Sequence, residues 1–257
     1  MGVSLQMKHI RNLVIFCGAL VFVASGCARA HFTPTPAPPL HSSSGKTYVR
    51  TRVGPSDNDE PVNIPPVPPG AAPSADNYHG SARMAAKLSI ATGQSQAFSD
   101  LGDLLDMLVP DAKMRAMGIS MASNSARVAE EQKTVTVTAF LYASSKEADN
   151  DFHCILGRDP SKPERFMNVE VSGLPPSSNP AFATLRTARN EFKAFFTNND
   201  DSLPGPGYDK YDPPIRVKVT GSLFFDVDHK AGSVGPMGMR PKTAWEIHPV
   251  SDIQFEQ

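Results

Sequence analysis

Asp149-Asn150-Asp151-Phe152-His153 sets two carboxylates and an imidazole at every second position. Asp226-Val227-Asp228-His229 and Glu246-Ile247-His248-Pro249-Val250 bring the same residue types together further along the chain. On an extended strand, residues two apart share a face. Asp149, Asp151 and His153 are therefore expected to project together, as are Glu246 and His248. Carboxylates suit Ca2+ or Mg2+ and imidazole suits Zn2+, so the chemistry within reach is the holding of a divalent cation. None of these spacings is that of an established metal motif. The competing reading is local: the Asp residues end strands and cap turns, His153 and His248 bond to neighbouring backbone, and Glu246 faces solvent.

Other residues point to less. The loop from Lys230 to Pro241 is Gly-rich and could wrap a ligand or simply join two strands. It lacks the Lys-Ser/Thr ending of a phosphate loop and does not lead from a strand into a helix. Asn198-Asn199-Asp200-Asp201 lacks the alternating ligands and the terminal Glu of a calcium loop and reads as a solvated helix end. No nucleophile elbow or cysteine–base pair is visible. A metal-dependent phosphodiester hydrolase, with Arg158 or Arg240 steadying the phosphate, is the rival to a non-catalytic binding module.

The elements that must position these residues can be read from periodicity. Thr134 to Ala139 alternates with period two, as a strand with one buried face must. Phe152–Leu156 and Phe166–Val171 give two more strands, each closed by turn residues. Asn179 then caps a helix entered at Pro180, with Phe182, Leu185, Phe192 and Phe196 along one side and a stop at Asn198-Asn199. A fourth strand runs through Ile215–Phe225 and a fifth from Ala244 to Phe255, bent at Pro249. Three strands, a helix and two strands is the order of an OB-type, five-stranded β-barrel. The expected inner rows are Val135, Val137 and Leu141; Phe152, Cys154 and Leu156; Ile215, Val217, Val219 and Leu223. In that topology the first-to-second and fourth-to-fifth connections lie close together, which would gather Asp149, Asp151, His153, Asp226, Asp228, His229, Glu246 and His248 at one pole.

The strand entry Asp149-x-Asp151-x-His153, with Phe225-Asp226-x-Asp228-His229 and Glu246-Ile247-His248-Pro249-Val250, resembles an uncharacterised family of exported bacterial proteins. That family has a D-x-D-x-H strand entry and an E-[IL]-H-P-V ending. The likeness spans roughly residues 133 to 255. It implies the same domain boundary and the same pole, and it names no ligand or activity. Cys154 stands where a plain aliphatic residue is expected.

Upstream, Lys8 and Arg11 precede an apolar run from Leu13 to Val23 that is too short to span a membrane, followed by Val23-Ala24-Ser25-Gly26-Cys27. This resembles a bacterial lipobox, which implies a signal peptide over 1–26 and a lipid on Cys27. An ordinary signal cleaved after Ala28-Arg29-Ala30 is the alternative. Ala28 after the cysteine points to the outer membrane. Residues 27–80, rich in Pro, predict a disordered tether. Residues 81–130 predict short helices covering the barrel, one of them capped by Ser99 or Asp100 and a second passing through Met114, Met117 and Met121. The barrel domain is expected over 131–257.

Loss of residues 1–26 removes Lys8 and Arg11 and takes the formal charge from −1 to −3. A faintly acidic chain argues against nucleic acid as a partner. With Cys17 in the signal and Cys27 lipidated, Cys154 is left without a disulfide partner and is expected to be a buried, inert thiol. The expectation is a lipid-anchored module on the periplasmic side of the cell envelope, meeting an envelope protein or a small ligand.

Overall fold

The computed structural model describes residues 46–55, 57 and 75–256. The signal segment, Cys27 and most of the expected tether lie outside the described residues. Seven strands form one mixed sheet: β1 (Val49–Gly54), β2 (Ser95–Phe98), β3 (Thr134–Lys146), β4 (Phe152–Gly157), β5 (Phe166–Val171), β6 (Tyr208–Phe225) and β7 (Trp245–Phe255). Short helices α1 (Met84–Lys87), α2 (Leu101–Met107) and α3 (Asp111–Ala116) precede β3. The one long helix among the described residues, α4 (Phe182–Asn198), joins β5 to β6.

Five of the strands close a ring. β3 pairs with β4, β4 with β5, β7 with β6, and β6 returns to β3, all antiparallel. The remaining side is a short parallel pairing of β5 with β7, with Asn168 opposite Glu246 and Val169 opposite Ile247. All the expected inner-row residues lie in one core cluster with Met167, Val169, Ile247 and Trp245. Alternation puts these side chains on one face because successive residues of a strand point to opposite sides.

Phe192 and Phe196 of α4 enter the same core, with the Phe192 ring 4.8 Å from that of Phe152. Phe182 and Leu185 do not. They pack with Tyr78, Leu88 and Leu174 in a separate small cluster, because the first turns of α4 lie against the 75–90 segment.

The expected five strands are thus joined by two that periodicity did not show. β1 lies within the expected tether and pairs with the early part of β6. It carries no buried apolar row to betray it. Arg50 and Arg52 anchor it instead, with Arg52 Nε 2.7 Å from Asp209 Oδ1 and Arg50 Nη1 3.2 Å from Asp201 Oδ1. Asp201 also takes Lys46 at 3.0 Å and the Tyr48 hydroxyl at 3.1 Å, so the end of α4 is an ion-paired joint rather than the solvated terminus expected. β2 runs parallel to β3 and lies in the segment expected to be helical.

In α2, Asp100 supplies the cap, accepting from Gly102 N–H at 2.6 Å. Leu101, Leu104 and Met114 join the main core. Trp245 packs there and donates Nε1–H to Val109 O at 2.7 Å. Phe224, an outward residue of β6, is covered by Arg83, whose guanidinium lies 4.6 Å from its ring.

Candidate functional site

The outer face of β4, β5 and β7 is polar and yet buried. His153 of β4, Asn168 and Glu170 of β5, and Glu246 and His248 of β7 are each at most 5% exposed. They are the outward partners of the inner-row residues Cys154, Val169 and Ile247. The parallel register that pairs Asn168 with Glu246 brings Glu170 beside His248 two residues on.

The β3–β4 turn adds Asp151 to this face. Asn150 sits at φ 78°, a left-handed position that Asn tolerates better than most residues. Its side chain donates to Ala75 O and Asn77 O at 2.9 and 2.6 Å. Asp149 Oδ1 accepts the Asp151 N–H at 3.0 Å. Asp151 Oδ1 accepts the Gly173 N–H, which leaves Oδ2 aimed at His248 Nε2, 3.4 Å away.

From the other side of the ring, His248 Nδ1 lies 2.7 Å from Glu170 Oε2 and 3.7 Å from Glu246 Oε2. Asn168 Nδ2 donates to both Glu170 Oε1 and Glu246 Oε1, at 2.8 and 3.0 Å, and holds the two carboxylates side by side. Beyond Glu246, His229 Nδ1 is 3.8 Å from its Oε1 and 2.7 Å from Asp226 Oδ2. Beyond Glu170, His153 Nε2 is 3.0 Å from its Oε1 and His153 Nδ1 is 3.6 Å from Asp57 Oδ2. The ligand-type atoms fall into three sets, each spanning less than 4.8 Å: Asp57, Glu147 and His153; Asp151, Glu170 and His248; Asp226, His229 and Glu246.

These atoms are close without being well satisfied. Asp151 Oδ2, His153 Nδ1, Glu170 Oε2, Asp226 Oδ2, Glu246 Oε2 and both nitrogens of His248 are buried with no hydrogen-bond partner. The 2.7 Å approach of His248 to Glu170 therefore has the separation of a hydrogen bond but not its direction. Buried polar atoms are nearly always bonded, and each orphan costs about 1–3 kcal/mol.

The charge balance is equally lopsided. Asp57, Glu147, Asp149, Asp151, Glu170, Asp226 and Glu246 face three imidazoles and Lys87, whose charge acts on Asp226. The groups shift one another's protonation accordingly. Burial, with Asp149 and Glu170 nearby, holds the Asp151 carboxyl well above the usual carboxylate range. Burial would lower His248, but the Glu170 and Glu246 carboxylates raise it to about 10. Burial opposes ionisation of Glu170 as well, and the His153 and His248 charges overcome it and hold Glu170 well below its ordinary value.

Of the eight residues expected at one pole, six join this cluster: Asp151, His153, Asp226, His229, Glu246 and His248. Asp149 supports it through its bond to Asp151. Asp228 does not join, since its side chain is exposed and its backbone N–H donates to Asp226 Oδ1 at 2.8 Å. Glu246 is buried, not solvent-facing. Glu170, Asn168, Asp57 and Glu147 escaped the sequence reading. The signal for Asn168 and Glu170 was there, as two polar residues at period two inside the otherwise apolar Phe166–Val171 run. Asp57 arrives from the segment expected to be tether.

The loop after β6 closes over part of this face. Gly235 N–H donates to Asp57 at 3.2 Å, and Val234 packs with Ile155 and Tyr208. Arg240 is spent inside the loop, donating to Gly235 O at 3.0 Å. Arg158 is tied to Asp100 at 2.7 Å, so neither arginine is poised over the cluster for a phosphate. Burial pushes the Cys154 thiol well up, in keeping with an inert core residue. No protein-family profile matches this chain, and no curated protein matches its sequence.

Proposed function

We propose that this chain is an exported, lipid-anchored module of the cell envelope, built on an OB-type barrel, that holds a divalent cation on the outer face of its β5–β7 seam. The observation that carries this reading is the set of buried, unbonded atoms Glu170 Oε2, Glu246 Oε2 and His248 Nδ1, which face one another at 2.7 and 3.7 Å about the imidazole nitrogen. Ligands about 2.1 Å from a tetrahedral ion stand about 3.4 Å apart, a value these two separations bracket. Asp151, behind the ring at Nε2, is placed as the carboxylate that orients a ligating histidine. One imidazole with carboxylates favours a first-row ion such as Zn2+ over Ca2+, which takes six to eight oxygens.

The ring supports the OB reading by its order, β3-β4-β5-β7-β6 and back to β3, with the single parallel contact and the helix between β5 and β6. The lipobox and Cys27 support the anchor. We favour holding over hydrolysis because every central donor is at most 5% exposed and a substrate would have to reach it through the covering loop.

Metal analysis of the full chain, purified from membranes in detergent, tests the proposal. At least one equivalent of a first-row divalent ion is expected, lost in Glu170→Gln and in His248→Gln. The absence of any bound ion, together with no thermal shift on adding Zn2+, Mn2+, Ca2+ or Mg2+, would end it. Cys27→Ala is expected to move the protein from the membrane to the soluble fraction, and retention in the membrane would refute the anchor.

A further inference from the structure

Glu246 does not face the Glu170–His248 pair alone. Its two carboxylate oxygens point in different directions along the buried face: Oε2 lies 3.7 Å from His248 Nδ1, and Oε1 lies 3.8 Å from His229 Nδ1. On the far side of His229, Asp226 Oδ2 closes a second set of ligand-type atoms, 2.7 Å from His229 Nδ1. Asp226 Oδ2 is itself buried with no hydrogen-bond partner, although Asp226 Oδ1 is occupied by the Asp228 N–H at 2.8 Å.

Resting on the cation site proposed above, we infer that the centre takes two divalent cations, one at Glu170 and His248 and one at Asp226 and His229, with Glu246 bridging them. A carboxylate spanning two ions is the usual way of bringing cations to about 3.5–4 Å from each other, because its charge screens their repulsion. The surroundings suit this. Asn168 fixes the bridging carboxylate by donating to Oε1 at 3.0 Å. The β6–β7 connection supplies Asp226 and His229 from one side while the β5–β7 pairing supplies Glu170 and His248 from the other.

The test is the stoichiometry of Zn2+ binding to the full chain after chelator treatment, read by isothermal titration and by metal analysis after gel filtration. The wild-type chain is expected to bind one equivalent more than Asp226→Asn, which removes a terminal ligand of the second site and leaves Glu170 and His248 untouched. Glu246→Gln is expected to lose that equivalent as well and to weaken the remaining one. X-ray absorption on the zinc-loaded wild-type chain needs no variant and should show a zinc–zinc scattering path near 3.5–4 Å. If the wild-type chain binds Zn2+ but Asp226→Asn binds as many ions, or no metal–metal path is seen, the bridged pair is overturned while the single site stands. If the wild-type chain binds no ion at all, the single-site reading falls with it.

Discussion

Glu170 Oε2 lies 2.7 Å from His248 Nδ1 across the seam at which β5 and β7 run parallel. That seam is the shortest pairing in the ring and the one side that joins strands distant in sequence in parallel. The contact that closes the ring is therefore the contact that assembles the site. Inside the seam, Val169 and Ile247 pack into the core; outside it, the next residues along each strand face each other as carboxylate and imidazole.

Asn168 is the residue whose loss separates site from fold. Its amide bonds both Glu170 and Glu246, and supporting groups of this kind typically tune metal affinity by 10- to 100-fold. Asn168→Leu is expected to weaken Zn2+ binding by a factor in that range while leaving the secondary structure intact. Competition against a chromophoric chelator measures the first and circular dichroism the second. Unchanged affinity would mean that the amide does not position the carboxylates.

Phe192 is fully buried and packs between Phe152 and Phe196, tilted against the first and edge-on to the second, at ring separations of 4.8 and 5.1 Å. Truncation of a core aromatic removes transfer energy and leaves a cavity. Phe192→Ala should cost about 3–5 kcal/mol in urea unfolding, with the α4 end of the ring losing protection from hydrogen exchange first.

Glu131 and Arg83 form a fully buried bidentate pair at 2.7 and 2.8 Å. Glu131 also accepts the Phe225 and Val128 N–H groups at 3.0 and 2.8 Å. Removing one partner strands the other charge in a medium that solvates it poorly. Glu131→Gln is expected to cost about 3–5 kcal/mol and the double change Arg83→Met with Glu131→Gln less than that, as denaturant midpoints will show.

Asp100 joins α2 to the β4–β5 turn. Burial would raise its carboxyl, but bonds from Arg158 and Lys162 and from the Gly102 N–H hold it down at about 2. A carboxylate depressed in the folded state stabilises above its unfolded value and loses that contribution as pH falls through the folded one. Asp100→Ala should therefore cost about 1 kcal/mol at pH 7, as loss of a helix cap does, with the difference from wild type shrinking between about pH 4 and pH 2. A difference that persists at pH 2 would show that the carboxylate charge is not its source.

The sequence by itself determined the parts of this protein whose physics is local. Alternation in Thr134–Ala139 and Ile215–Phe225 fixed which face of each strand is apolar, because side chains on a strand alternate regardless of what lies beside them. Asp100 marks a helix start, since a cap is satisfied by backbone two residues away; Asn179 does not cap α4, which begins at Phe182 after the N-cap Ala181, and instead its side chain accepts the Ala181 N–H in the preceding turn. The acid–imidazole motifs were visible for the same reason, as each lies within five residues.

What tertiary structure alone decided is which of those groups meet. Periodicity does not tell a solvated outer face from a covered one, so solvent exposure of Glu246 stays open in the sequence, whereas in the fold it is buried between Asn168, His248 and His229 of the loop after β6. β1 has no apolar row, and only the acids at 201 and 209, about 150 residues away in sequence, make its arginines into a strand anchor. Glu170 is, in sequence, one of two polar residues in an otherwise apolar run. It becomes the centre of a site because β7 returns beside β5, and a pairing between strands that far apart in sequence is set by the energy of the whole closed ring, which no short stretch of residues carries.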